Sequence, residues 1–137
     1  MEIRTYRDPD HAQVARLWSF CFDYPAPHND PAQSIRLKQA MDDGLFFVAE
    51  IDGAVAGTVM AGWDGHRGWI YSLAVQSGLR RRGIGRALLE HAVAELTSRG
   101  CPKVNLQVMS DNLEATGFYE RLGFSVEDRI SMGRRLY

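Results

Sequence analysis

The segment that most constrains this chain is Arg80-Arg81-Arg82-Gly83-Ile84-Gly85-Arg86-Ala87-Leu88, which lies between a strand pattern and a helix pattern. Its two glycines let backbone N–H groups approach a ligand with no Cβ in the way. The N–H groups that open a helix have no acceptor inside it, and the helix dipole adds positive potential at the same end. Arginines supply charge-assisted donors matched to phosphate oxygens. Residues Arg80, Arg81, Arg82, Gly83, Ile84, Gly85 and Arg86 therefore read as a pyrophosphate cradle. A dinucleotide-binding GxGxxG does not fit, because Leu88 stands at the third glycine position, and no GK[ST] of a P-loop occurs. An R-x-x-G-x-G turn for the diphosphate of coenzyme A fits as it stands. The alternative is a helix start with glycines for packing and arginines in solvent.

The pattern on either side predicts a mixed α/β fold. Glu2 to Tyr6 alternates as a strand. Asp8-Pro9 and Asp30-Pro31 each read as an N-cap followed by proline at the first helical position, opening two helices. Leu45 to Ile51, Ala54 to Trp63 and Trp69 to Val75 form an antiparallel meander turned at Asp52-Gly53 and at 64–68. From Gly83 to about Ser98, Ile84, Leu88 and Ala92 lie on one helical face, widened by Leu89, Val93 and Leu96. Val104, Leu106 and Val108 alternate as a strand, Asn112 to Leu122 reads as a last helix, and Phe124–Val126 with Ile130–Leu136 reads as a closing hairpin. The order is β-α-α-β-β-β-α-β-α-β-β, with strands 69–75 and 104–108 parallel across a helical crossover. At 137 residues a single domain over 1–137 is expected.

Composition excludes several classes. A net charge of −1 gives no global field toward nucleic acid. No apolar run approaches the ~20 residues of a membrane span. Met1 to Tyr6 has no apolar signal-peptide core, so a cytoplasmic protein is expected. Cys21 and Cys101 form no CxxC and have no histidine at ligand spacing, so they read as reduced thiols and no metal is expected.

Arg80, Gly83 and Gly85 fill the [RQ]-x-x-G-x-[GA] turn, and the segment resembles the acetyl-CoA site of the GNAT N-acetyltransferase superfamily. Asn112, Ala115, Phe118-Tyr119 and Leu122-Gly123-Phe124 resemble a second signature of the family, N-x-x-A-x-x-[FL]-Y-x-x-L-G-F. The resemblance covers essentially the whole chain. More narrowly, Asn29-Asp30-Pro31, Gly57-Thr58-Val59-Met60, Asp64 to Gly68, Arg99 to Lys103 and Tyr119 to Gly123 resemble a bacterial YpeA-type subgroup. Gly117, inside the last helix, is a departure from good helix composition.

The resemblance implies an acetyl-CoA-dependent N-acetyltransferase acting on a primary amine, on a sheet splayed between strands 69–75 and 103–108. The alternative is a non-catalytic acetyl-CoA sensor or subunit. Leu73, Ala74 and Val75 would lie beside pantetheine, with Asn112 as a further cofactor contact. A backbone N–H near Leu73 to Val75 would polarise the thioester carbonyl. Tyr119 would protonate the departing thiolate, since a phenol (reference pKa ~10) stays protonated where a thiol (~8.5) is near its own. Glu50, Asp64, His66 and Tyr71 lie on or beside the central strands as candidate bases, with water as the alternative carrier. Residues 22–34 are expected to shape the acceptor pocket, with Phe22, Tyr24, His28, Asn29 and Asp30 as contacts and Tyr71 beside them. The expected partners are acetyl-CoA and an amine acceptor, with neither nucleic acid nor membrane, and the expected assembly is a monomer or a homodimer.

Overall fold

The computed structural model describes residues 1–22 and 30–136. The chain divides into two compact units, Met1–Gln107 and Val108–Tyr137.

The first unit is a five-stranded sheet with helices on both faces. Its elements are β1 (Glu2–Thr5), α1 (His11–Cys21), α2 (Pro31–Met41), β2 (Phe46–Ile51), β3 (Ala54–Trp63), β4 (Gly68–Val75), α3 (Ile84–Ser98) and β5 (Val104–Leu106). The strands lie in chain order; β1 to β4 are antiparallel and β5 joins β4 in parallel, as a helical crossover requires. Asp52 (φ 50°) and Gly53 (φ 78°) make the β2–β3 turn, with the two positive φ values that a tight hairpin needs.

Strand alternation divides the core between the two faces. Phe46 and Val48 join Tyr6, Val14, Leu17, Trp18 and Ile35 in one cluster with α1 and α2. Phe47 turns the other way, edge-on to His91 of α3 at 4.6 Å. The predicted stripe of α3 is buried at Ile84, Leu88, Leu89, Ala92 and Leu96. Each buried Ile or Leu among them contributes about 1.5–3 kcal/mol of transfer free energy. Gly57 lets α3 close on the sheet, because a Cβ there would lie 2.7 Å from the Ala74 carbonyl oxygen and 2.9 Å from a Leu88 methyl. Arg4 ties β1 to the start of α1 through two hydrogen bonds to Asp10 (2.8 and 2.9 Å) and lies 3.5 Å from Glu50.

The second unit contains α4 (Leu113–Arg121), capped by Asn112 and closed by Gly123 at φ 94°. The expected hairpin at 124–136 is not formed: no strand occurs there, and Val126, Ile130, Met132 and Leu136 are 77–91% exposed. Alternating apolar residues offer a strand face, but the strand exists only with a ladder partner. The fifth strand is also shorter than expected, ending at Leu106 rather than Val108.

Candidate active site

The β4–β5 ladder spans three pairs, Gly68 with Val104, Trp69 with Asn105 and Ile70 with Leu106, and ends there. From Tyr71 onward β4 continues to Val75 without a β5 partner, in the strand pair between which the family resemblance implies a splay.

Where the opening begins, β4 carries a bulge. Thr58 pairs with Ala74 and Met60 with Tyr71, so Ser72 and Leu73 together oppose Val59. Ser72 takes φ 52°, a conformation that costs a non-glycine residue roughly 1 kcal/mol. The bulge is held from β3. The Trp18 indole N–H donates to Thr58 Oγ1 (2.8 Å), and the Thr58 hydroxyl donates to the Ser72 carbonyl (2.9 Å). Thr58 is fully buried and Trp18 nearly so.

After β4 the chain makes a 3₁₀ turn at Ser77–Leu79 and reaches α3 through Arg81 (φ 65°) and Gly83 (φ 82°), both left-handed. The first intrahelical bond of α3 runs from the Ala87 N–H to the Gly83 carbonyl, which leaves the N–H groups of Ile84, Gly85 and Arg86 without a helical acceptor. Asp30 caps α2 by accepting from the Gln33 N–H, and Asn112 caps α4 by accepting from that of Ala115. No side chain caps α3, and its first turn holds no acid. A Cβ at Gly83 would meet nothing within 4 Å. The start of α3 is therefore an open set of donors at the positive end of a helix. This fits a diphosphate.

The residues of the expected cradle differ in their surroundings. Ile84 is in the core, so only its backbone is available to a ligand. Arg80 lies back on the end of β4, with Nε 3.4 Å from the Val75 carbonyl and a terminal nitrogen 3.8 Å from Cys21 Sγ. Arg86 is paired with Glu90 at 2.9 Å on the surface, while Arg81 and Arg82 are exposed. Ala74 is buried, so it too offers only backbone; Leu73 and Val75 are half-buried.

In the second unit, Tyr119 packs edge-on against Phe118 (5.1 Å) and Phe124 (5.8 Å). Burial pushes its phenol above the usual tyrosine range. Asn112 is exposed, and its side-chain oxygen is committed to the α4 cap.

The candidate bases fare unequally. The Asp64 carboxylate accepts from the N–H groups of His66 (2.8 Å) and Arg67 (2.9 Å), and these bonds, Arg67's first, hold it below the usual carboxylate range. Glu50 sits beside Arg4. Tyr71 is half exposed, stacked on Trp69 at 6.4 Å, and burial pushes its phenol up. Among the acceptor candidates, Asp30 is exposed as the α2 cap and Phe22 packs against Trp18 at 6.5 Å. Tyr24, His28 and Asn29 lie outside the described residues.

Sequence reasoning missed Thr58, Trp18 and Ser72. The available signal was a lone hydroxyl in the otherwise apolar strand 54–63.

The model of the acetyltransferase (GNAT) family matches residues 11–124. The chain belongs to that family. It is an acyltransferase, and its architecture recurs in solved members. Ard1 from Thermoplasma volcanium is 26% identical at a TM-score of 0.81, over 92% of this chain and 83% of that one. The ribosomal-protein-S18-alanine N-acetyltransferase from Escherichia coli is 26% identical at 0.78, over 90% and 77%. An aminoglycoside N-acetyltransferase solved with CoA, 18% identical at 0.78 over 99% and 95%, shares the fold. No helix among the described residues is long and apolar enough to cross a membrane.

Proposed function

We propose that this family member transfers an acetyl group from acetyl-CoA to a primary amine, on a small molecule or on a peptide or protein. The observation that carries the reading is the uncapped, acid-free start of α3, which follows a three-arginine turn at the end of β4. The N–H groups of Ile84, Gly85 and Arg86 receive the diphosphate, and Arg80, Arg81 and Arg82 neutralise its charge. Beyond Ile70 β4 has no β5 partner, and the backbone of Leu73, Ala74 and Val75 is assigned to the amide-bearing pantetheine arm, which offers partners to strand groups left unpaired.

Acetyl-CoA supplies an activated acyl carbon: the amine forms the C–N bond, the C–S bond breaks, and the thiolate takes a proton. Tyr119 gives that proton. Its raised pKa keeps the phenol protonated throughout the neutral range. A backbone N–H of the β4 bulge polarises the thioester carbonyl. With the Asp64 carboxylate weakened as a base by the N–H groups of its own turn and Glu50 beside Arg4, water carries off the proton of the amine. Asn112 is assigned to the cofactor site on the motif it shares with the family, and Asn29, Asp30 and Tyr71 to the acceptor side. The enzyme reading is favoured over a sensor by family membership. Assignment to the YpeA-type subgroup rests on the five segments that resemble it. A single domain, acting as a monomer or homodimer in the cytoplasm, completes the reading.

Calorimetry with acetyl-CoA, acetyl-pantetheine, ATP and NAD tests the donor site. Acetyl-CoA binds most tightly, and its affinity falls with added salt as the arginines are screened. Equal affinity for acetyl-pantetheine and acetyl-CoA sinks the diphosphate assignment. An acetylation screen over amines, peptides and protein N-termini then identifies the acceptor; peptides with N-terminal alanine come first, because the Escherichia coli neighbour is a ribosomal-protein alanine acetyltransferase.

A further inference from the structure

We propose that Thr58, backed by Trp18, is a positioning residue that aims the Leu73 N–H at the acyl group; this rests on the acetyl-CoA reading above. The Trp18 indole nitrogen can only donate and the Ser72 carbonyl can only accept, so the Thr58 hydroxyl between them has one possible orientation. Hydrogen bonds run from the buried indole to the buried hydroxyl to the carbonyl of half-buried Ser72, each strengthening the next.

The consequence lies on the far side of the same peptide. Ser72 C=O and Leu73 N–H belong to one peptide unit, and a planar trans unit points them in opposite directions. All peptides among the described residues are trans. With its carbonyl drawn toward β3 by Thr58, this unit directs the Leu73 N–H away from β3, to the side where the β5 ladder has already ended at Ile70. The left-handed φ of Ser72 puts the carbonyl within reach of Thr58 and disfavours the unit in isolation. Thr58 over-determines the arrangement. A buried hydroxyl, bonded to a carbonyl 14 residues along the chain, thereby sets the direction of a donor it does not touch.

The test uses Thr58→Val, which removes the hydroxyl at nearly constant shape, Thr58→Ser, which keeps it, and Trp18→Phe, which removes the donor behind it together with part of the ring. The probes are CoA and acetyl-CoA labelled with ¹³C at the carbonyl. Titration gives both affinities, and infrared difference spectra of the bound thioester report the hydrogen bond to its carbonyl. Wild type binds acetyl-CoA with the carbonyl stretch lowered relative to solution; failure of wild type to bind it overturns the donor reading itself. In Thr58→Val, CoA affinity stays within about twofold while the carbonyl shift is largely lost, and turnover falls roughly 10- to 10²-fold at unchanged KM for acetyl-CoA. Thr58→Ser restores the shift and the turnover. A folded Thr58→Val with a wild-type carbonyl frequency overturns the proposal. Should Thr58→Val not fold, Trp18→Phe decides: a weakened carbonyl shift at unchanged CoA affinity supports it, and a wild-type frequency overturns it.

Discussion

Two single residues carry most of what can be tested about this chain. Tyr119 is assigned by resemblance, from its place seven residues after Asn112 and four before Gly123. Its setting between Phe118 and Phe124 explains why the phenol titrates above its usual range. Tyr119→Phe keeps the ring packing, so acetyl-CoA affinity remains within a few fold while kcat drops by about 10²–10⁴. Because the folded pKa is raised, the donor stays protonated up to at least the reference value near 10, and no alkaline loss of kcat arises from Tyr119 below that pH. Rate profiles from pH 6 to 9 on a productive acceptor check both statements; an unchanged kcat in the folded variant removes Tyr119 from catalysis. Gly57 was not singled out from sequence for its packing. Gly57→Ala pushes a methyl into the Ala74 carbonyl and Leu88, and because one of those atoms is backbone the strain is not relieved by a rotamer change. The expected loss is about 1–3 kcal/mol, read from denaturant unfolding with m unchanged.

Among the elements, the start of α3 is the most informative. Other helices in the chain show what a capped start looks like: Asp30 and Asn112 each close one with a side-chain oxygen. At α3 the residue in that place is Gly83, whose left-handed backbone shapes the entry and whose missing side chain leaves the donors open. Gly85→Glu puts a carboxylate beside those donors. It satisfies them from within the chain and repels a diphosphate, so acetyl-CoA binding is abolished by calorimetry while the melting temperature is kept or raised by the new charge near the helix start. A folded variant with wild-type affinity would move the anion site elsewhere. The same element shows where sequence reasoning stopped short. The apolar stripe of α3 was read correctly, Ile84 included, but the sequence did not reveal that this burial leaves only the backbone of Ile84 to a ligand.

For the molecule as a whole, the ion pair between Arg4 and Asp10 joins the first strand to the first helix of the sheet unit. The Arg4 guanidinium, with the Arg7 N–H, holds the Asp10 carboxyl below the usual range. At neutral pH the carboxylate is ionised in both folded and unfolded chains. As pH falls below the unfolded value of about 3.9, the unfolded chain takes up the proton first, so stability drops from there toward the lower folded pKa. Asp10→Asn is expected to lose about 3 kcal/mol at pH 7, because Glu50 remains beside Arg4 but the bidentate partner is gone. Its acid limb between pH 5 and 2, followed by chemical denaturation, is correspondingly flatter. An Asn variant with the wild-type acid dependence would show that other carboxylates govern the acid transition.

The sequence by itself determined the local features. The Asp30-Pro31 helix start, the Asp52-Gly53 turn, the strand 54–63 and the α3 stripe are set by backbone preferences and side-chain period within a few residues of one another. The glycine-arginine turn and the Asn112 to Phe124 signature belong to the same class, which is why the family was readable from the residues alone. Only the tertiary structure decided what depends on partners distant in the chain. The ladder between β4 and β5 stops at Ile70 because pairing is a relation between strands, and no alternation in 104–108 records where it ends. For the same reason the alternating residues of 124–136 do not make a hairpin. The bulge at Ser72 was invisible in the sequence, since the residues that hold it, Thr58 and Trp18, meet across 40 residues of chain and bind through a hydroxyl whose orientation is fixed only when both neighbours are in place.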